Sequence, residues 1–215
     1  MQCMQADVAQ DRLRTLILDG TYQPGARLTE VEAAAALSMS RTPVREAFRG
    51  LIADGLVRPA GRGVEVSLLD PDALTAAYEV RACLESLTAE LFSTRLAAGR
   101  IAPADFDALV STNDAAAEAT ASGRLEEAVE HNRRFHRQMA VLAANALALE
   151  MLDRVWDQIF VSTRATLDAE ARRALVLDQH DRLLQAIRSG DHQAAGAIAR
   201  THVLDTRARA CKEAG

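Results

Sequence analysis

Ser40-Arg41-Thr42-Pro43-Val44-Arg45-Glu46-Ala47 (residues 40–47) opens the stretch whose reading decides the fold. Ser40 or Thr42 is placed to cap a helix, and Pro43 falls in its first turn, where a missing N–H costs nothing. Val44, Ala47, Phe48 and Leu51 recur at helical spacing and form a buried face. Arg41, Thr42, Arg45 and Arg49 then project from the opposite side, and Gly55 ends the helix. Upstream, Val8, Leu13, Leu16 and Ile17 predict a first helix that stops at Gly20. Tyr22-Gln23-Pro24-Gly25 is a turn. Thr29-Glu30-Val31-Glu32 fits a capping box, in which the Thr29 hydroxyl and the Glu32 carboxylate cap each other's free amides, and a short helix follows to about Leu37. Downstream, Leu56-Val57-Arg58 and Val64-Glu65-Val66 read as two short strands around Gly61-Arg62-Gly63.

Three helices followed by a hairpin is the order of a winged helix-turn-helix. The charge pattern agrees. Between Arg41 and Arg62 five arginines face only Glu46 and Asp54, a local excess of three positive charges in a chain of net charge −5. A DNA major groove admits one helix, and an arginine makes a bidentate contact to guanine O6 and N7. A solvated basic helix face carries the same charges. The hairpin separates the two readings, because a wing with Arg62 at its tip places a cation against the DNA backbone or minor groove.

The composition sets the frame. Of 215 residues, 49% are hydrophobic and 26% charged, which excludes wholesale disorder. Glycine (11) and proline (5) are scarce and aromatics make up 4%, while alanine reaches 43, so a mainly α protein is expected. Lys212 is the single lysine. Cys3, Cys83 and Cys211 are odd in number and widely spaced, and read as free thiols of a reducing compartment. No run of 18 apolar residues predicts a membrane span, and Asp7 and Asp11 stand where a signal peptide would be basic and then apolar. A cytoplasmic protein is expected.

The texture changes at Leu69-Asp70-Pro71-Asp72, where Asp70 is an N-cap and Pro71 the first helical residue. Residues 1–69 are therefore expected to form the winged helix-turn-helix domain, and residues 70–215 an all-helical antiparallel bundle. Breaks near Gly99, Gly123, Asn145 and Gly190 divide the bundle into six helices, about 71–98, 103–121, 124–143, 146–169, 171–189 and 191–213. Trp156 falls in a stripe with Leu149, Leu152, Ile159 and Phe160, either as core or as the wall of a ligand pocket.

Three histidines of the bundle fall on buried stripes. Asn132 and His136, four apart, project from the helix face that holds Val129, Met139 and Ala143. His180 belongs to the series Leu177, His180, Leu184, Ile187, and His202 lies near Ile198 and Ala195. Singly, each imidazole reads as a core residue with a polar partner. Together, three imidazoles from three helices match the way bundles hold zinc, nickel and related ions, with open positions left for a ligand carboxylate. His131 and His192 lie off these stripes. Arg81 falls in the stripe Leu74, Ala77, Arg81, Leu84, Thr88, Leu91, where a guanidinium must be paired. Its partner is Glu85 or another helix's acid, or a carboxylate of a bound effector, and the two readings are compatible.

Pro24-Gly25-Ala26-Arg27-Leu28-Thr29-Glu30, residues 40–47, Asp54-Gly55-Leu56-Val57 and Gly61-Arg62-Gly63-Val64 together resemble the winged-helix domain of GntR-type bacterial transcription regulators. The likeness covers about residues 9–67. The helical remainder resembles the FadR-subfamily ligand domain, also called the FCD domain. The resemblance implies a homodimer that binds a palindromic operator in double-stranded DNA and responds to a small organic acid. It implies a DNA-contacting set of Arg27, Arg41, Thr42, Pro43, Arg45 and Arg49, with Arg62 and Gly63 in the wing. It also implies a divalent transition metal, zinc or nickel, held by residues at the positions of Asn132, His136, His180 and His202, with Arg81 contacting the effector. Asn132 departs from the acidic form of that pattern and removes one negative charge from the site.

The expected function is a ligand-responsive regulator of transcription, a repressor or an activator, rather than an enzyme. Two other readings stand beside it: a sensor in which the metal is itself the signal, and a helical-bundle metalloenzyme. No HExxH motif or positioned general base supports the latter.

Overall fold

The computed structural model describes residues 2–163 and 173–213. In chain order the elements are α1 (Gln2–Leu18), β1 (Arg27–Thr29), α2 (Glu30–Leu37), α3 (Arg41–Ala53), β2 (Val57–Ala60), β3 (Gly63–Val66), α4 (Pro71–Ala97), α5 (Pro103–Ala121), α6 (Leu125–Leu142), α7 (Ala146–Thr163), α8 (Arg173–Ser189) and α9 (His192–Glu213). The expected extension of α7 to 169 and start of α8 at 171 lie outside the described residues. The chain forms two compact units, Met1–Leu74 with Arg154–Ala165, and Thr75–Asp153 with Thr166–Gly215.

In the first unit Leu13 and Ile17 of α1, Leu37 of α2, and Val44, Ala47, Phe48 and Leu51 of α3 close one core with Leu56, Val64 and Val66. Each buried leucine or valine contributes about 2 kcal/mol. The α1 face is turned from expectation: Val8 is exposed and Ala9 is buried in its place. The capping box forms, with Thr29 Oγ1 accepting from the Glu32 amide at 3.2 Å and Glu32 Oε2 accepting from the Thr29 amide at 3.0 Å. Ser40 occupies the N-cap position of α3 without a side-chain cap bond.

The wing is larger than the two expected strands. Its sheet has the order β1-β3-β2, both pairs antiparallel, with Leu28 opposite Val64 and Val57 opposite Val66. Gly63 belongs to β3 rather than the turn, and a Cβ there would meet the Leu28 carbonyl oxygen at 2.0 Å. Only glycine permits that strand approach.

A polar network completes this unit. Arg14 donates to Asp54 at the end of α3 and to Asp157 in the last turns of α7. Asp54 also accepts from Gln10 at 2.9 Å and pairs with Arg154 at 3.1 Å, while its carbonyl accepts from Gln158 at 2.7 Å. Burial alone would lower the Arg14 pKa, but Asp157 and Asp54 outweigh it and raise the value. Val161 enters the core, Trp156 is buried, and Ser162 Oγ accepts from the Leu69 amide.

Asp70, still within the first unit, caps α4 by accepting from the Ala73 amide at 2.8 Å, as Asp70-Pro71 predicts. In the second unit Phe92, Leu109, Phe135, Met139, Leu183 and Ile187 form the core. The break near Asn145 is made by Ala144 in a left-handed conformation (φ 54°), and Asn145 Oδ1 caps the next turn through the Ala148 amide.

Candidate nucleic-acid interface and metal centre

The amphipathic pattern of α3 places its arginines. With Val44, Ala47, Phe48 and Leu51 inward, Arg41, Thr42, Arg45 and Arg49 are exposed. Pro43 is not on that face. It is buried with Val44 in the first turn of the helix. Arg62 is exposed at the turn of the wing beside Gly61, whose φ of 59° forms the turn. Arg27 and Arg58 flank Glu65 across the sheet, and Glu65 pairs with both. Glu30 pairs with Arg45 at 2.6 Å and with Arg41 at 3.1 Å, and Arg49 pairs with Glu46 at 2.7 Å. The hydrogen bonds from Arg45 and Arg41 hold the Glu30 carboxyl down to about 2.

The second unit brings His136 of α6, His180 of α8 and His202 of α9 together. All three are buried, and one ring nitrogen of each lies within 4.8 Å of the others. Their ring centroids are 4.7–5.0 Å apart. Phe135 stacks on His180 at 4.4 Å.

Each imidazole is oriented from behind. Asn113 Nδ2 donates to Asp181 at 2.9 Å, which turns its Oδ1 to His180 Nδ1 at 3.0 Å. Gln179 Nε2 donates to Asp205 at 2.6 Å, which turns its Oε1 to His202 Nδ1 at 3.0 Å. A carboxylate only accepts, so both amides must present oxygen to the rings, and both Nδ1 atoms carry the proton. That leaves Nε2 of each ring as the lone-pair nitrogen, the arrangement in which metal-ligating histidines are held. His136 Nδ1 lies 3.0 Å from Glu85 Oε2, and Glu85 Oε1 accepts from Arg81 Nε at 2.6 Å.

The electrostatics favour a neutral His180 ring. Burial, with His136 and His202 nearby, pushes the His180 pKa well below its usual value. Burial would raise Glu85, but Arg81 and His136 overcome it and hold the carboxyl well below the usual range. The Nε2 atoms of His136 and His180 are enclosed with no hydrogen-bond partner. Asn132 Oδ1, one turn before His136, is enclosed in the same condition. A buried acceptor left bare costs about 1–3 kcal/mol. Three clustered imidazoles fit a borderline transition ion such as zinc or nickel.

Arg81 is buried and bridged to Glu85, with its guanidinium 6.0 Å from the Tyr78 ring. The bridge uses Nε and leaves the two Nη groups outside it. His131 is half-buried and His192 exposed, apart from the cluster. Sequence reasoning missed Asn113, Gln179, Asp181 and Asp205. The signal was there for Asn113, a buried amide in a stripe with Phe106, Leu109 and Ala116.

The family model "Bacterial regulatory proteins, gntR family" matches residues 5–66, and that of the FCD domain matches residues 76–205. This chain belongs to the GntR family, with an FCD domain. The GntR-family regulator is 32% identical over 183 residues to the Nta operon transcriptional regulator of Aminobacter aminovorans, covering 83% of this chain and 82% of the relative. It is 29% identical over 207 residues to the probable D-xylose utilization operon transcriptional repressor of Paenarthrobacter nicotinovorans, covering 92% and 85%. Among solved structures it shares the fold of E. coli McbR/YncC, with a TM-score of 0.82, 20% identity and 98% and 99% of the two chains covered. No helix among the described residues is long and apolar enough to cross a membrane.

Proposed function

We propose that this GntR-family regulator is a cytoplasmic homodimer of the FadR subfamily that represses transcription from a palindromic operator and is relieved by a small organic acid. Arg41, Thr42, Arg45 and Arg49 would face the major groove, Arg27, Arg62 and Gly63 would lie beside the backbone or minor groove, and a repressor among the relatives supports the sign of regulation. His136, His180 and His202 would hold a divalent transition ion, with Asn132 as a neutral fourth donor. The observation that carries the ligand reading is the pair of enclosed, unpartnered Nε2 atoms on His136 and His180.

When bound, the ion supplies positive charge and open positions for a carboxylate. The chain's own residues prepare that site. Asn113 and Gln179 fix the tautomers of His180 and His202, and Phe135 fixes the plane of His180. None of the four donors is charged, and Glu85 is engaged by Arg81 and His136. A dication there needs an anion to balance it, which favours an acid as effector. Arg81 would orient that acid through its Nη groups. Effector binding controls DNA only through unequal affinity for the DNA-competent and DNA-incompetent states.

Thermal-shift measurements with a panel of carboxylates, each with and without chelator, test the ligand reading. A shift that needs both acid and metal supports it. A shift with metal alone, unaltered by any acid while operator affinity changes, supports the metal-sensor reading instead. For the DNA face, Arg45→Ala is expected to lose about 10- to 100-fold in operator preference over random duplex in gel-shift titrations. Equal preference in wild type and variant refutes the assignment of α3.

A further inference from the structure

Among the described residues, six arginines are exposed on α3 and the sheet: Arg27, Arg41, Arg45, Arg49, Arg58 and Arg62. Five of them are answered by three carboxylates. Glu65 holds Arg27 and Arg58, Glu46 holds Arg49, and Glu30 holds Arg41 and Arg45. Glu46 reaches its partner along one helix, and Glu65 sits opposite its partners in the sheet. Glu30 is different, because it reaches from α2 across to α3. Its two oxygens accept Nε and Nη2 of Arg45 at 2.6 and 2.8 Å, and one of them also accepts Nη2 of Arg41 at 3.1 Å.

We propose that Glu30 is a specificity-determining residue of the DNA interface: it fixes the Arg41 and Arg45 side chains over α3 and cancels their pull on the phosphate backbone of any sequence. The proposal rests on α3 being the DNA-contacting helix. Folding does not call for these pairs. Both arginine side chains are at least half exposed, and exposed ion pairs contribute little to stability. What the pairs do is order. A long arginine side chain loses much freedom on binding, and a fork already held in place loses less. The anchor is itself firm, since Glu30 follows Thr29, whose capping box with Glu32 pins the start of α2. Glu30 takes the Nε–Nη2 edge of Arg45 and leaves Nη1 outside the pair, available to a base edge.

Charge supplies the second half. Backbone binding grows with every uncompensated cation, whatever the sequence, through counterion release. A carboxylate among the cations subtracts from that term for all sequences alike. Base contacts then decide more of the total, which is discrimination by disfavouring the wrong partner. Glu30 stays ionised across working pH, because its carboxyl is held down to about 2 by the two arginines.

The test uses the full chain with wild type, Glu30→Gln and Glu30→Asp. In vitro selection from a random duplex library defines the preferred site for wild type, and salt titrations on that site and on a scrambled duplex follow. For Glu30→Gln, binding to scrambled duplex is expected to tighten about 3- to 10-fold at 0.15 M salt. Its log–log salt slope should steepen by about 1, one extra phosphate contact. The ratio of selected to scrambled affinity should fall at least 10-fold, roughly 1.4 kcal/mol. Glu30→Asp keeps the charge but is too short to span both arginines. It should hold scrambled affinity within about twofold while still losing ratio. Unchanged scrambled affinity in Glu30→Gln, or equal weakening on both duplexes with the ratio kept, overturns the proposal. A wild-type ratio in Glu30→Asp overturns the positioning half. A wild-type chain that enriches no sequence overturns the reading of α3 on which this rests, and the proposal with it.

Discussion

Arg14, half-buried, and His180, fully buried, are both polar groups set among packed helices, and their surroundings treat them in opposite ways. Arg14 meets Asp54 and Asp157, and Asp54 is met in turn by Gln10 and Arg154. His180 is met on one nitrogen by Asn113, while its Nε2 is enclosed with nothing opposite. The first arrangement is closed and stabilises a junction of helices. The second leaves an enclosed ring nitrogen beside two other buried imidazoles. Burial alone does not separate structural from functional polar groups; the remaining lone pair does.

This contrast can be broken in three ways. The largest effect is expected in the closed network. Asp54→Ala leaves the Arg14 guanidinium half-buried beside one acid and removes the hydrogen bond from Gln10 and the ion pair with Arg154, at a cost of about 3 kcal/mol or more. Urea melts followed by the fluorescence of Trp156, the single tryptophan and a residue of the first unit, report it. A variant as stable as wild type would show that the network is ornamental. Next is metal loading. The protein is expected to purify with about one divalent ion per chain, and His136→Ala to purify with none. At a free metal concentration about 100 times Kd, wild type should gain about 2.7 kcal/mol over its chelated form and His180→Ala nothing. Metal analysis that finds the wild type empty removes the site.

The smallest effect is on pH. The His180 pKa is depressed in the folded chain, so the folded state binds fewer protons than the unfolded one in mild acid. Stability from the neutral ring is full above the unfolded value of about 6.5 and declines as pH falls below it, by at most about 1.4 kcal/mol per pH unit. Denaturant melts of the chelated protein at pH 7.5 and 5.5 should show a loss that His180→Gln reduces. Identical slopes in the two proteins would mean that the ring is not held neutral by burial.

Much of this was legible in the sequence because it is written at helical spacing. Val44, Ala47, Phe48 and Leu51 announced the buried face of α3 and so the exposed arginines, and Asp70-Pro71 announced the start of α4. Strand β1 was not legible: three residues with one inward side chain, Leu28, give no alternation to read. Val8 misled because Ala9 beside it is small. Neighbouring helix positions differ by about 100° of rotation, and the larger side chain drew the face toward itself. In the candidate site, the histidines stood out as polar groups on apolar stripes. Their partners did not, since nothing local ties Asn113 to His180 or Glu85 to His136 across many tens of residues. Arg14 and Asp157, 143 positions apart, are the extreme case.

Helix α7 gives its last turns to the unit that carries α3, and the chain then returns to the other unit. Hybrid regulators are commonly imagined as a reading head joined to a foreign sensing body at a single seam. A seam at residue 70 would here leave the head without Arg154, Asp157, Gln158 and Val161, and with Asp54 and Arg14 facing strangers. Any graft of this head must carry the segment from 154 to 163 from the same parent.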